Sequence, residues 1–444
     1  MNEPIDRASA TDLAFLAMER GAVPEQIGAV LVLAPGTAVD LTGVRRLFAE
    51  RVAAIPRLRQ RLVRVPPGCG RPVWVDDPDF DVRRHVRCAP CRYPGDEQAL
   101  LDTAAAVVAE RLPRSRPLWT VVLLTGPAGG AVALLVVLHH ALADGLGGLA
   151  VLAGLADGAA GPVAVPGYPR RRPPRGRLAV DAARETLRAL TRMPVVWREL
   201  CRSMGAGGGL APAPVVRCSL VARTGPYRRY AAVHADLATV RAAAHRYGGT
   251  VNDAVLVAVG GALRRVLAAR GESVDRLAVA VPVAGRRSAR PAQLGNQVGP
   301  MTVTVPLAGP WADRLRAVDA AVRQRHAAAA GGPPPIAVLG PVFRALAALG
   351  GYRWYMRHQH RLHTLVSYVR GPERPLTFAG ATVTGVLPVG IGEAGNLTVS
   401  FLVVSYAGTL VVTAVADPDH VPDLPGLTAA LRTELDLFTG VGTP

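Results

Sequence analysis

The segment His139-His140-Ala141-Leu142-Ala143-Asp144-Gly145 gathers residue types suited to proton transfer. Imidazole can take up and return a proton near neutral pH without help from its surroundings. Residues 131–138 before it are all apolar and read as a buried strand. A strand end fixes an imidazole in space. Successive residues there point to opposite sides, so one of the two rings can face a reacting atom. His140 is the expected base and His139 the supporting member of the pair. Asp144 is expected to orient the loop rather than to touch substrate. Leu146-Gly147-Gly148-Leu149 then opens a glycine-rich helix.

The elements around this segment divide near the middle of the chain. Ser9-Ala10-Thr11-Asp12 is a capping-box pattern that starts a short helix. Strands are expected over 27–33, 72–75, 119–124 and 131–138, with helices near 41–54 and 97–111. From 163 to 177 the chain turns Pro- and Arg-rich, which marks an extended, charged linker. A helix over 178–204 places Leu187, Leu190, Met193 and Trp197 among arginines. Its apolar stripe suits either the protein core or a bilayer interface, and Pro194 should kink it. In the second half, helices are expected over 237–247, 252–270 and 424–438. Strands are expected over 277–283, 301–306, 365–369, 381–387, 397–404 and 409–415. The pattern is mixed α/β: residues 1–162 and 216–444 form two halves, joined by a linker and basic helix over 163–215.

Composition narrows the chemistry. Half of the 444 residues are apolar, which is the mark of a folded chain with a large core. The formal charge is +18, and all 51 cations are Arg, so Schiff-base chemistry on lysine is excluded. A positive balance suits an anionic partner such as a phosphate-bearing cofactor or a membrane surface. Nucleic acid is not expected, because no recognition motif is present and 5% aromatic residues is poor for base stacking. The odd, scattered cysteines (Cys69, Cys88, Cys91, Cys201 and Cys218) argue against a disulfide framework. Cys88-Ala89-Pro90-Cys91 lacks a second ligand pair at zinc spacing, so no metal is expected. The first residues show no secretory pattern, and no apolar run reaches the roughly 18–20 residues of a membrane span. The expected location is cytoplasmic, with peripheral contact at the inner membrane surface as a further expectation. His358, His360 and His363 alternate with arginines and are expected to form a basic, solvated face.

Several motifs in fixed order resemble the bacterial wax ester synthase/acyl-CoA:diacylglycerol acyltransferase family, within the coenzyme A-dependent acyltransferase superfamily. Asp12-Leu13-Ala14-Phe15-Leu16-Ala17-Met18-Glu19 resembles its D-x-x-F-L-x-x-E, and Arg114 to Trp119 its R-S-R-P-L-W. His139 to Gly145 matches its H-H-x-x-x-D-G. Thr250-Val251-Asn252-Asp253, Pro282 to Arg286 and Gly295-Asn296 resemble further elements. Ser367-Tyr368-Val369-Arg370-Gly371-Pro372 departs from the family's S-N-V-P-G-P, and Pro113 stands where an Asp is usual.

The resemblance implies two chloramphenicol acetyltransferase-like halves with a tunnel between them. It implies an acyl-CoA co-substrate, no tightly bound cofactor, and a hydroxyl acceptor such as a fatty alcohol or diacylglycerol. The product would be a wax ester or triacylglycerol, made at or near a membrane or lipid-droplet surface. His140 would act as general base. Asn252 and Asp253 would lie near substrate, with Asn252 stabilising the oxyanion, although Thr250, Asn252 and Asp253 are equally good helix-capping residues. Asp144 would pair with an Arg of the second half, best Arg286, and Gly145 would give the loop room to turn. The alternative within the same fold is esterification of a specialised metabolite, with a carrier-bound thioester as donor.

Overall fold

A computed structural model describes residues 5–19, 23–36, 38–92, 94–126, 130–159, 168–205, 215–284, 294, 296, 298–329, 343–392 and 395–440. Two six-stranded sheets carry the fold. In chain order the strands are β1 (Gln26–Leu33), β2 (Gln60–Val63), β3 (Val73–Asp76), β4 (Val86–Pro90), β5 (Trp119–Thr125), β6 (Ala131–His139) and β7 (Arg229–Asp236). They continue as β8 (Arg276–Ala284), β9 (Val298–Pro306), β10 (Thr364–Arg370), β11 (Thr377–Phe378), β12 (Ala381–Gly390), β13 (Val399–Tyr406) and β14 (Thr409–Ala416). The first sheet runs β11-β12-β1-β6-β5-β4, the second β7-β14-β13-β10-β8-β9, and β2 and β3 form a small ribbon.

The first sheet places β6 between β1 and β5. Its residues from Ala133 to His139 are all buried, as a central strand covered on both faces should be. Apolar side chains from β1, β5, β6, α2 (Leu41–Val52), α3 (Glu97–Ala109) and α4 (Gly145–Leu155) form one core. A second core lies on the other sheet, under α6 (Leu237–Arg246), α7 (Val251–Ala269), α8 (Trp311–Ala329) and the last helix, α10 (Leu424–Thr439).

The sheets do not follow the expected division of the chain. Residues 377–390 belong by sequence to 216–444, yet β12 pairs antiparallel with β1 through Ile27↔Gly390 to Val30↔Leu387. Tyr230 of the second sheet adds a buried tie, donating to the Gly390 carbonyl at 2.8 Å. The two halves are therefore interlocked by an exchanged strand.

The linker is clamped where it is described. Arg170 grips the Asp76 carboxylate with Nε at 3.0 Å and Nη2 at 2.9 Å, while Arg59 stacks over Tyr168 at 3.8 Å. Helix α5 (Arg175–Gly205) is docked at its start by Arg7. That guanidinium donates to Asp181 at 2.7 Å and to the carbonyls of Cys69, Arg71 and Leu178 at 2.8–2.9 Å. Leu178 and Ala182 are buried there, whereas every residue from 186 to 191 is exposed. Among the described residues no helix is long and apolar enough to cross a membrane.

The basic face expected near 353–363 is only partly one. His358 is exposed on α9 (Gly351–His358), but His363 is 1% exposed. Its Nδ1 accepts from the Ala278 amide at 3.0 Å and its Nε2 faces the Val216 carbonyl at 3.0 Å. It is a fully bonded core histidine, and burial lowers its pKa.

Candidate active site

The two histidines end β6 with their backbones fixed from both sides. His139 N donates to the Leu118 carbonyl at 3.0 Å, and His140 N to the Glu25 carbonyl at 2.8 Å. The side chains then diverge, as a strand end requires. His139 is wholly buried. Its Nδ1 accepts from the Ala141 amide at 2.9 Å, and Nε2 lies 3.4 Å from Glu19 Oε1. Glu19 also pairs with Arg114. Burial alone would raise the Glu19 pKa, but the contacts with His139 and Arg114 hold its carboxyl down at about 2. Each ring nitrogen of His139 thus has a structural neighbour.

His140 faces the other way. Its ring stacks on Phe15 at 3.9 Å and 12°. Burial pushes its pKa down to about 4, and neighbouring His139 acts in the same direction. Its own carbonyl, the Asn296 side chain and Asp144 act against that shift without cancelling it. The ring is neutral at physiological pH, as a general base must be. Asn296, from the second half of the chain, donates through Nδ2 to the His140 carbonyl at 2.7 Å and to Asp12 Oδ1 at 3.0 Å.

Helix α1 (Ala10–Met18) is the frame for both rings. Ser9 and Asp12 close the expected capping box, with Ser9 N donating to Asp12 Oδ2 at 2.9 Å and Asp12 N to Ser9 Oγ at 3.0 Å. Asp12, Phe15 and Glu19 follow at helical spacing along one face. They reach, in turn, Asn296, the His140 ring and His139. The motif blocks beginning at Asp12, Arg114 and His139 therefore meet in one place, together with Asn296. Asn296 and Phe15 were visible only as motif letters, because nothing local in the sequence links residues so far apart.

Asp144 is the N-cap of α4, accepting from the Gly147 amide at 2.7 Å while fully buried. Gly145 does not need an unusual turn. A Cβ there would stand 2.8 Å from Val369 Cγ2 on β10, so its lack of a side chain lets α4 approach the second sheet. This replaces the expected role in turning the loop.

Asp253 closes a capping box at the start of α7, accepting from Thr250 N at 2.8 Å and Thr250 Oγ1 at 2.7 Å. Its neighbours are Asp319 and Arg323 of α8, and burial raises its pKa. Asn252 is half-buried one residue earlier. Neither is described in contact with His140. Arg286 lies outside the described residues. Neither of two surface cavities, lined by Arg64, Arg172 and Arg175 and by Arg61, Asp77 and Arg116, includes an expected site residue. Among the described residues no group of three His, Cys, Asp or Glu side chains could hold a metal.

Two sheet-based halves that meet beside the half-buried His140 have the chloramphenicol acetyltransferase-like fold. Residues 8–255 match the wax ester synthase/diacylglycerol acyltransferase catalytic domain, and residues 294–438 match the C-terminal domain of the same enzymes. The chain belongs to the wax ester synthase/diacylglycerol acyltransferase family. It is 32% identical over 415 residues to the probable diacylglycerol O-acyltransferase tgs1 of Mycobacterium tuberculosis, covering 89% of this chain and 87% of that one. A wax ester synthase/diacylglycerol acyltransferase from Marinobacter aquaeolei VT8 shares the fold. Its TM-score is 0.65 at 24% identity, over 98% of this chain and 100% of that one. The starter condensation domain of rhizomide synthetase, solved with C8-CoA and Leu-SNAC, gives a TM-score of 0.63 at 15% identity, over 98% and 94%.

Proposed function

We propose that this acyltransferase moves a fatty acyl group from acyl-CoA to the hydroxyl of a long-chain alcohol or diacylglycerol, giving a wax ester or triacylglycerol. The observation that carries the reading is the His140 ring, neutral and held against Phe15 where the halves meet. His140 takes the acceptor's hydroxyl proton as the oxygen attacks the thioester carbonyl. The tetrahedral intermediate then collapses, the C–S bond breaks, and His140 returns the proton to the departing CoA thiolate. No acyl-enzyme is required. His139 supports the loop, and Asp144 holds α4 and pairs with Arg286. Asn252 supplies a hydrogen bond to the oxyanion, for which removal of one donor costs roughly 100- to 1000-fold in kcat. Asp253 serves by fixing the helix that carries Asn252.

Acceptor access is the second part of the proposal. Leu187 and Leu190 of α5 are 64% and 53% exposed, beside exposed Arg184 and Arg188, which suits peripheral contact with an anionic lipid surface. A second reading, a smaller specialised acceptor or a carrier-bound donor, is favoured by Tyr368. This bulky side chain, bonded to Ser405 at 3.1 Å, replaces the family's Asn beside Val369. A screen separates the readings: palmitoyl-CoA with hexadecanol, diacylglycerol or short polar alcohols, followed by free-thiol release. Release with the long-chain acceptors supports the first reading. Release with polar alcohols alone overturns it.

A further inference from the structure

We infer that residues 343–358 of the second half form a helical corner that seats in an anionic lipid surface. The inference deepens the lipid contact proposed for α5 and rests on that reading for its partner, but a different set of residues carries it.

The corner is fixed on one side and bare on the other. Residues 343–348 are helical, Gly350 turns the chain at φ +83°, and α9 starts at Gly351. The Phe343 and Tyr352 rings meet edge to face at 5.2 Å, and a Cβ on Gly351 would collide with Leu346, so the two arms are packed closely together. The far end of α9 is pinned to the second half. Met356 is buried, Gln359 Nε2 donates to Asn396 Oδ1 at 2.8 Å, and Asn396 Nδ2 donates back to the Gln359 carbonyl at 2.7 Å. With that face turned inward, helical geometry turns the other one out. Leu349 at the turn is 88% exposed and Trp354 is 64% exposed, with Leu346 and Tyr355 also in solvent. Single apolar side chains on a surface are ordinary, but four large ones within ten residues mark a contact face.

Charge says what the face contacts. From 320 to 372 the sequence has seven Arg and no Asp or Glu. Arg353 and Arg357 share α9 with Trp354, and among the described residues no carboxylate pairs with either. Burial and the like charges of Arg223 and Arg353 lower the Arg357 pKa, and no acidic group offsets them. A soluble polyanion would neutralise these arginines but leave Leu346 and Leu349 in water. A bilayer surface takes both at once. Headgroup phosphates meet the guanidiniums, the leucines enter the acyl boundary, and an indole ring suits the level between.

The test uses the full-length protein without acyl-CoA or acceptor, and vesicles of phosphatidylglycerol or phosphatidylcholine. Trp354 is read as the difference in fluorescence between wild type and Trp354→Phe, which cancels the other four tryptophans. The expected result is a blue shift with phosphatidylglycerol and quenching when its acyl chains are brominated, with little of either on phosphatidylcholine. Leu349→Glu changes an exposed residue, so circular dichroism should not move, while vesicle affinity should fall by roughly tenfold or more, as for the loss of one buried leucine. Arg353→Gln with Arg357→Gln should weaken binding and flatten its salt dependence. Wild-type binding to vesicles without a response from Trp354 overturns the inference and leaves α5 as the lipid-facing element. Absence of any vesicle binding overturns both. Trp354 shielded from iodide in the free protein shows that the chain covers this face itself, and overturns the inference as well. So does binding that salt abolishes and Leu349→Glu leaves intact, the signature of a charge-only contact with any polyanion.

Discussion

Replacing His140 with Ala removes the ring stacked on Phe15 but leaves the strand-end hydrogen bond to Glu25, which uses the backbone. The fold should persist while turnover falls by roughly 100- to 10,000-fold, the usual contribution of one positioned base. Stopped-time thiol assays with circular dichroism check both halves of that statement. His139→Ala should show the reverse balance. It strips a neighbour from Glu19, which is 4% exposed, and should destabilise the protein by about 1–3 kcal/mol in thermal or urea unfolding. The pH signatures differ as well. The His140 pKa is depressed to about 4, so the base is neutral and activity level at higher pH, falling only as pH drops through that value. Glu19 is a depressed carboxylate. Its contribution to stability is full above its ordinary value of 4.5 and is lost as pH falls toward 2. His139→Ala should therefore weaken resistance to acid unfolding, and unchanged acid stability would mean that the His139–Glu19 pair is of no consequence.

At the scale of elements, the start of α4 is one of the places where the first half touches the second. A methyl group at position 145 would meet Val369 Cγ2 at 2.8 Å, closer than side chains tolerate. Gly145→Ala should push α4 and β10 apart, costing about 1–3 kcal/mol and lowering turnover. Val369→Ala in the same chain should recover much of both, because it removes the atom struck. If the second substitution recovers nothing, the clash is not the cause. Asp144 allows a sharper separation. Asn caps a helix about as well as Asp, so Asp144→Asn keeps the hydrogen bond to Gly147 and removes only the charge. A loss of activity in Asp144→Asn that Arg286→Ala reproduces, with no further loss in the double variant, would identify the pair. Additive losses would direct attention to another arginine.

Over the whole molecule, what the sequence revealed depended on whether its signal was local. The apolar run before His139, the capping box at Ser9, the helix-capping residue types at 250–253 and the Pro/Arg linker are local patterns, and each corresponds to a feature of the structure or a described part of one. Strand β7 was not foreseen because its burial is irregular, with Tyr230 and Val233 the buried positions, so period-two alternation is absent. Helix α8 was hidden by its many Arg and Asp residues around a short stripe of Leu315 and Val318. The exchange of β12 into the first sheet and the seating of Asn296 against Asp12 are long-range, and residues so distant leave no periodic trace. Helix α5 lies between these cases. Its amphipathic pattern is local, but what it faces is not. Its first turns are tied down through Arg7 and Leu178, while residues 186–191 are exposed on every side. An apolar stripe left in water is costly, and a basic helix of this kind gains by lying in an anionic interface. The protein should co-sediment with phosphatidylglycerol vesicles at low salt and less so at high salt, because screening weakens exposed charge. Leu187→Glu with Leu190→Glu should abolish sedimentation and lower turnover on vesicle-borne diacylglycerol, with turnover on a short soluble alcohol unchanged. Undiminished vesicle binding by that variant would show that α5 is not the lipid-facing element.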